Sequence, residues 1–212
     1  MKYNYLAIEG NIGAGKTTLA RMISAQFNAR LILERFADNA FLPKFYQEPE
    51  RYAFPLEMSF LADRFQQLRE ELSTPDLFRS FTIADYFIDK SLIFARNNLK
   101  ADEFALYSRL FGIISSMLPK PDLIIFLYLD IPGLMKNISA RGRDYEKLIA
   151  PDYLERIQAG YLNHFRSLQD ARIVMINTNE IDFVESDWDY QKLTRMLEQD
   201  YPPGITRIAV EK

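Results

Sequence analysis

The sequence predicts an α/β protein, one domain spanning residues 1–212, in which a parallel sheet of five strands has helices on both faces and an arginine-bearing lid. Three observations carry that prediction. Short apolar runs alternate with longer segments whose apolar residues recur at helical spacing. The stretch Gly10-Asn11-Ile12-Gly13-Ala14-Gly15-Lys16-Thr17-Thr18 spells G-x-x-x-x-G-K-[ST] between the run Tyr5-Leu6-Ala7-Ile8 and the segment Leu19-Ala20-Arg21-Met22, which is strand, loop and helix in order. Downstream, Arg141 and Arg143 flank Gly142 in a short basic turn suited to a mobile lid over roughly residues 137–150.

The loop is a phosphate cradle. Its glycines let the backbone turn until successive N–H groups point at one anion, and the helix starting near Lys16 adds a positive end. Lys16 is expected to reach the β/γ-phosphates of ATP and Thr17 to offer its hydroxyl to Mg²⁺. The ATP site is thus expected to comprise Gly10, Asn11, Ile12, Gly13, Ala14, Gly15, Lys16, Thr17 and Thr18, joined by the lid arginines.

Composition narrows the chemistry. A net charge of -3 offers no broad basic surface for a nucleic-acid backbone, so a small acceptor fits better. With no cysteine and one histidine, His164, neither a thiolate site nor a histidine cluster is available, which leaves carboxylates, Lys, Arg and Mg²⁺. No stretch approaches the ~20 apolar residues of a membrane span, and no secretory segment precedes the first strand, so a cytoplasmic setting is expected.

Taken in order, Thr18–Phe27 reads as helix and Arg30–Leu33 as a short strand that delivers Glu34 at the edge where open α/β sheets bind ligands. Residues 35–51 hold Phe36, Phe41, Phe45 and Tyr46 with two prolines and read as irregular chain or short helical pieces. Pro55–Leu72 reads as a long helix with Glu57 and Arg64 two turns apart on one face. Phe78–Ala84 reads as a strand ending at Asp85, an acid placed to hold Mg²⁺, while Leu123–Leu129 ends at Asp130 and offers a second candidate. Between them, Ser91–Leu99 and Glu103–Leu118 read as helices whose apolar faces suit either a homodimer interface or plain core burial. Ile131–Ser139 is a helix with Pro132 in its first turn, Tyr153–Leu168 an amphipathic helix and Arg172–Ile176 a last strand. A loop carrying Asp182 and Phe183 follows, where adenine could be met. Asp187–Glu198 is a terminal helix, and the tail from about residue 200 is expected to be loose.

With these pieces placed, the chain resembles the deoxyribonucleoside kinases over nearly its whole length, within them the bacterial deoxyadenosine and deoxyguanosine kinases. The likeness rests on the phosphate loop, Glu34, the run from Phe45 to Phe54, Arg64, Arg141-Gly142-Arg143 with Glu146, and the late Asn-x-x-Asp-Phe. It implies a P-loop kinase fold, a dimer through helices, and ATP-dependent phosphorylation of a deoxynucleoside 5′-hydroxyl. It also implies that Glu34 is the general base, that Tyr46 and Glu146 meet the sugar 3′-hydroxyl, that Arg141 and Arg143 are lid arginines, and that Glu57 and Arg64 face the base. Asn39 falls where some relatives stack an aromatic, so stacking would fall to Phe36 or Phe87; Asp89 corresponds to a base-site aspartate. The chain departs from the pattern where relatives carry Glu-Arg-Ser and it has Asp85-Tyr86-Phe87, which keeps an acid but lacks the arginine. It departs again at Asn137, in place of a lid arginine, and at Glu57, in place of Gln.

Ionised Glu57 only accepts hydrogen bonds, and guanine presents two adjacent donors, so a purine with guanine ahead of adenine is expected. Deoxycytidine or several deoxynucleosides are the alternative acceptors. A nucleoside monophosphate kinase of the thymidylate type would set the acceptor's phosphate against Glu34, and a non-catalytic ATP-binding module would leave Glu34, Tyr46 and Glu146 without a role.

Overall fold

Alternation along the first strand divides the core in two. In Tyr5–Gly10 (β1), Leu6 and Ile8 pack on one face of the sheet with Leu19, Ile23, Leu193 and Leu197, while Ala7 packs on the other with Tyr161 and Phe165. A central parallel strand is covered on both sides, and β1 is correspondingly buried at every position. The computed structural model describes residues 2–35, 39–74 and 76–209.

The sheet has six strands: β1, Arg30–Ile32 (β2), Thr82–Ala84 (β3), Leu123–Tyr128 (β4), Arg172–Asn177 (β5) and Gly204–Ala209 (β6). All pairings are parallel, in the order β2-β3-β1-β4-β5-β6. The helices are Lys16–Phe27 (α1), Leu42–Gln47 (α2), Pro49–Leu72 (α3), Lys90–Asn98 (α4), Ala101–Ser115 (α5), Ile131–Arg141 (α6), Pro151–Ser167 (α7) and Asp187–Met196 (α8), with a 3-10 turn at Asp144–Leu148. Helices α1 and α8 cover one face of the sheet, and α3, α4, α5 and α7 the other.

Three expectations are corrected. The sheet has six strands and not five, because residues 204–209 pair with β5 along its length instead of lying loose. The third strand is shorter than Phe78–Ala84: the Phe78 N–H bonds the Asp76 carboxylate in a turn and its ring is exposed, so pairing begins at Thr82. The long helix begins at Pro49, not Pro55, preceded by α2, a short helical piece of the kind expected there. Pro55 forfeits one backbone bond, and Ala53, Leu56 and Phe60 packing on Phe45 carries the helix through it. Among the described residues, no helix is long and apolar enough to cross a membrane.

Candidate active site

Parallel strands open their C-terminal ends on one side of the sheet, and the strand order places β1 between β3 and β4 there, each reached by its own crossover. The phosphate loop follows β1. Gly13 and Gly15 have φ of 87° and 88°, a region that excludes most side chains. A Cβ at Gly13 would lie 2.7 Å from the Leu134 carbonyl oxygen of α6, and one at Gly15 would lie 2.9 Å from the Phe183 ring. The loop is thereby seated against α6 and the loop that follows β5. Lys16 donates to the carbonyls of Gly10 and Asn11, both at 2.9 Å, and Asn11 Nδ2 donates to the Leu154 carbonyl at 2.8 Å. Burial, reinforced by the charge of Lys90, brings the Lys16 ammonium down to about 8.

Of the two acids at strand ends, Asp85 stands beside the loop. Its Oδ2 accepts from the Thr17 hydroxyl, and its Oδ1 accepts from the Glu34 backbone N–H at 2.7 Å. Asp130 caps α6, accepting from the Gly133 N–H at 2.8 Å. Thr17 and Asp85 are hard oxygen donors of the kind Mg²⁺ selects. Among the described residues no group of three or more acidic or histidine side chains gathers as a metal cage, so phosphate oxygens and water would complete the shell. The residues fit that ion.

Glu34, expected at the crevice, is there. Arg64 reaches its Oε1 through Nε at 2.8 Å and Nη2 at 2.6 Å, and Lys90 reaches its Oε2 at 2.5 Å. Burial by itself would raise this carboxyl; Lys90 and Arg64 outweigh burial and hold it at about 2, so it is ionised throughout the neutral range. The same cavity is lined by Lys16, Thr17 and Asp85, by Tyr46, Glu57 and Phe60, and by Arg141, Arg143 and Glu146. Arg141 holds Glu146 through Nε and Nη2 at 3.0 and 2.7 Å, and Arg143 reaches it at 3.1 Å. Tyr46 stacks on Tyr145, their rings 6.2 Å apart and 13° from parallel. Glu57 accepts from Asn98 Nδ2 at 2.7 Å through Oε1, while its buried Oε2 has no hydrogen-bond partner. Burial pushes the Glu57 carboxyl up to about 7, against the nearby Arg64.

Other expected residues lie elsewhere. Asn39 does not line the cavity: its Nδ2 donates to Ser59 and its Oδ1 accepts from the Phe41 N–H, so it serves a turn. Asp89 faces α7 and pairs with His164 Nε2 at 2.8 Å, because one residue around a helix turns the side chain by about 100°. Its neighbour Lys90 enters the cavity instead. Phe87 packs on Phe165 in the core, and Phe36 lies outside the described residues. Asp182 and Phe183 line a second cleft with Gly13, Gly15, Thr18, Lys136 and Asn137, on the outer side of the loop. Asn137, where a lid arginine was missing, donates to the Gly13 carbonyl at 2.8 Å.

Sequence reasoning missed Lys90 and Glu9. Glu9 is fully buried in β1, with Oε1 accepting from the Phe87 N–H at 2.9 Å and Oε2 from the Tyr161 hydroxyl at 2.8 Å. A charged residue inside an apolar strand, one place before the loop, was the available signal.

Comparison with known proteins decides the family. The profile of the deoxynucleoside kinase family matches residues 6–200. The chain belongs to the deoxynucleoside kinases. It is therefore a phosphotransferase. It is 36% identical to a deoxyguanosine kinase of Bacillus subtilis over 202 residues, covering 92% of this chain and 96% of that one. It is 30% identical to a deoxyadenosine kinase of Dictyostelium discoideum over 198 residues, 93% of this chain and 79% of that one. In fold it is similar to a deoxyadenosine kinase from M. mycoides solved with bound dATP, with a TM-score of 0.79, 21% identity, and coverage of 92% and 99% of the two chains.

Proposed function

We propose that this deoxynucleoside kinase transfers the γ-phosphoryl group of ATP to the 5′-hydroxyl of a purine 2′-deoxynucleoside, yielding the monophosphate for nucleotide salvage. The observation that carries the reading is the placement of Glu34 in one cavity with Lys16, Thr17 and Asp85. An ionised carboxylate, a phosphate loop and a metal-binding oxygen pair then face the same small space. Donor phosphates lie along the loop amides and Lys16, with the adenine in the outer cleft beside Phe183. The acceptor's alcohol lies at Glu34, its 3′-hydroxyl at Tyr46 and Glu146, and its base at Glu57 and Phe60.

Mg²⁺, when bound at Thr17 and Asp85, neutralises charge on the phosphates. Glu34 takes the hydroxyl proton, and its low proton affinity suits a loose transition state in which little charge builds on the attacking oxygen. Arg141 and Arg143 are set, by a turn of the lid, to exchange Glu146 for the transferring group. Glu34→Gln is expected to lower kcat by about 10²- to 10⁴-fold while deoxynucleoside binding stays within a few-fold. Full activity in that variant refutes the assignment.

Glu57 supports the purine preference. Its unpartnered Oε2 and its Asn98-bound Oε1 are the two acceptors that guanine's N1–H and N2–H₂ require, and the protonated carboxyl supplies the donor and acceptor that adenine requires. Initial rates with the four natural deoxynucleosides, and with their monophosphates, test both the base and the kind of acceptor. Leu106 and Ile113 on α5, with Met117 in the turn just past its end, expose apolar side chains, which supports the homodimer reading; sedimentation equilibrium checks it.

A further inference from the structure

Both oxygens of Glu34 are occupied by cations, Oε1 by Arg64 and Oε2 by Lys90. An alcohol can approach this carboxylate only where one cation yields, and the two are not held alike. Arg64 grips Oε1 with two nitrogens, its Nη1 is fixed by the Ser91 hydroxyl at 2.7 Å, and its guanidinium lies 4.7 Å from the centre of the Phe60 ring. Lys90 makes one contact with Glu34, through an ammonium on a flexible four-carbon stem, and otherwise lies 5.7 Å from the centre of the Phe94 ring. Lys90 is the cation free to turn.

The cavity also says where it would turn. Lys16 and Lys90 both line it, and the charge of Lys90 is felt at Lys16 strongly enough to help bring that ammonium down. Glu9, Glu34 and Asp85 offset that repulsion at rest, and once Lys90 leaves Glu34 the two ammonium groups are relieved by a further anion between them. One of the two belongs to the phosphate loop, so the anion that satisfies both is the end of the triphosphate.

We propose that Lys90 is a second phosphate-binding lysine, which leaves Oε2 of Glu34 when the acceptor alcohol enters and holds the transferring phosphoryl group opposite Lys16. The proposal rests on Glu34 as the base and on the Lys16 loop as the donor site. In the transfer, the 5′-oxygen forms a bond to the γ-phosphorus while the bond from that phosphorus to the β,γ-bridging oxygen breaks. The bonding pair remains on ADP, and the hydroxyl proton passes to the Oε2 that Lys90 vacated. Lys90 keeps its proton and follows the phosphoryl oxygens from donor to acceptor. The exchange exposes the base only when a phosphoryl group is present to hold the lysine.

Two variants test this. Lys90→Gln removes the charge and leaves an amide that can still donate to Glu34, which protects folding; Lys90→Met removes both. Each is expected to lower kcat by about 10²-fold with the KM for the deoxynucleoside within a few-fold. In calorimetry, affinity for ADP with aluminium fluoride and deoxynucleoside, a mimic of the transferring group, is expected to fall by a similar factor, whereas ADP alone binds as before. In the Glu34→Gln background the Lys90→Gln change should still cost activity, since its partner is the phosphoryl group. A double variant no slower than Glu34→Gln alone, or an unchanged aluminium fluoride affinity in Lys90→Gln, overturns the proposal. A fully active Glu34→Gln single variant overturns instead the base assignment beneath it.

Discussion

Glu57 is a carboxyl with one oxygen bound by Asn98 and the other buried without a partner, and its cost depends on pH. Burial raises its proton affinity from an ordinary 4.5 to about 7 in the folded protein. Below the ordinary value both folded and unfolded states are protonated and nothing is lost. Above about 7 both are ionised, and the folded state carries the full penalty, about 3 kcal/mol at roughly 1.4 kcal/mol per unit. Stability from this residue therefore declines as pH rises between those values. Glu57→Gln is expected to raise the Tm by about 5–10 °C near pH 8 and to leave it unchanged near about pH 4, read by thermal denaturation across pH. The same variant should lose preference for deoxyguanosine over deoxyadenosine in the rate panel. That Glu57 faces the cavity was legible in the sequence, since two turns of helix align it with Arg64. Its raised proton affinity was not, because that depends on how tightly distant segments close around it. Lys90 and Asp89 make the same point at finer grain: adjacent residues on one helix serve opposite sides, and no pattern in the sequence sets the helix's rotation to that precision.

At the scale of elements, the apolar strands β1, β4 and β5 and the phosphate loop were legible because their signals are local. The last strand was not. Gly204–Ala209 is as long as those strands but mixed in polarity, with Gly204, Thr206 and Arg207 breaking its apolar run, and it becomes a strand by pairing with β5 from Arg172 to Asn177. Removing residues 204–212 is expected to bare the edge of β5, lower the Tm by several degrees and promote aggregation on heating, read by calorimetry and light scattering. Arg141 and Arg143 both engage the buried Glu146, which ties the turn after α6 to the cavity. Glu146→Gln replaces the carboxylate in those pairs with a neutral acceptor. Trypsin is expected to cut after Arg141 or Arg143 several-fold faster in that variant, as gel-resolved time courses would record.

For the whole molecule, the two halves of the core meet at Glu9. It ties β1 to the turn after β3 through Phe87 and to α7 through Tyr161, immediately before the phosphate loop. Tyr161→Phe keeps the ring, which packs on Phe126 at 5.2 Å, and strips Glu9 of its best donor. The expected loss is about 1–3 kcal/mol of stability by denaturant titration, with ATP binding weakened as the loop loses its support.

Helix α3 runs 24 residues without interruption of its axis by a loop, and it carries Glu57 and Arg64 seven positions apart. At the helical rise that is about 10 Å, fixed by backbone bonds rather than by side-chain packing. On the proposed function, this rod spaces the base contact at Glu57 from the cation that anchors Glu34, and so works as a length gauge for the acceptor. A ligand is accepted when its far edge and its primary alcohol span the gauge together, and inserting one residue between the two positions would spoil the measure while leaving each contact chemically intact.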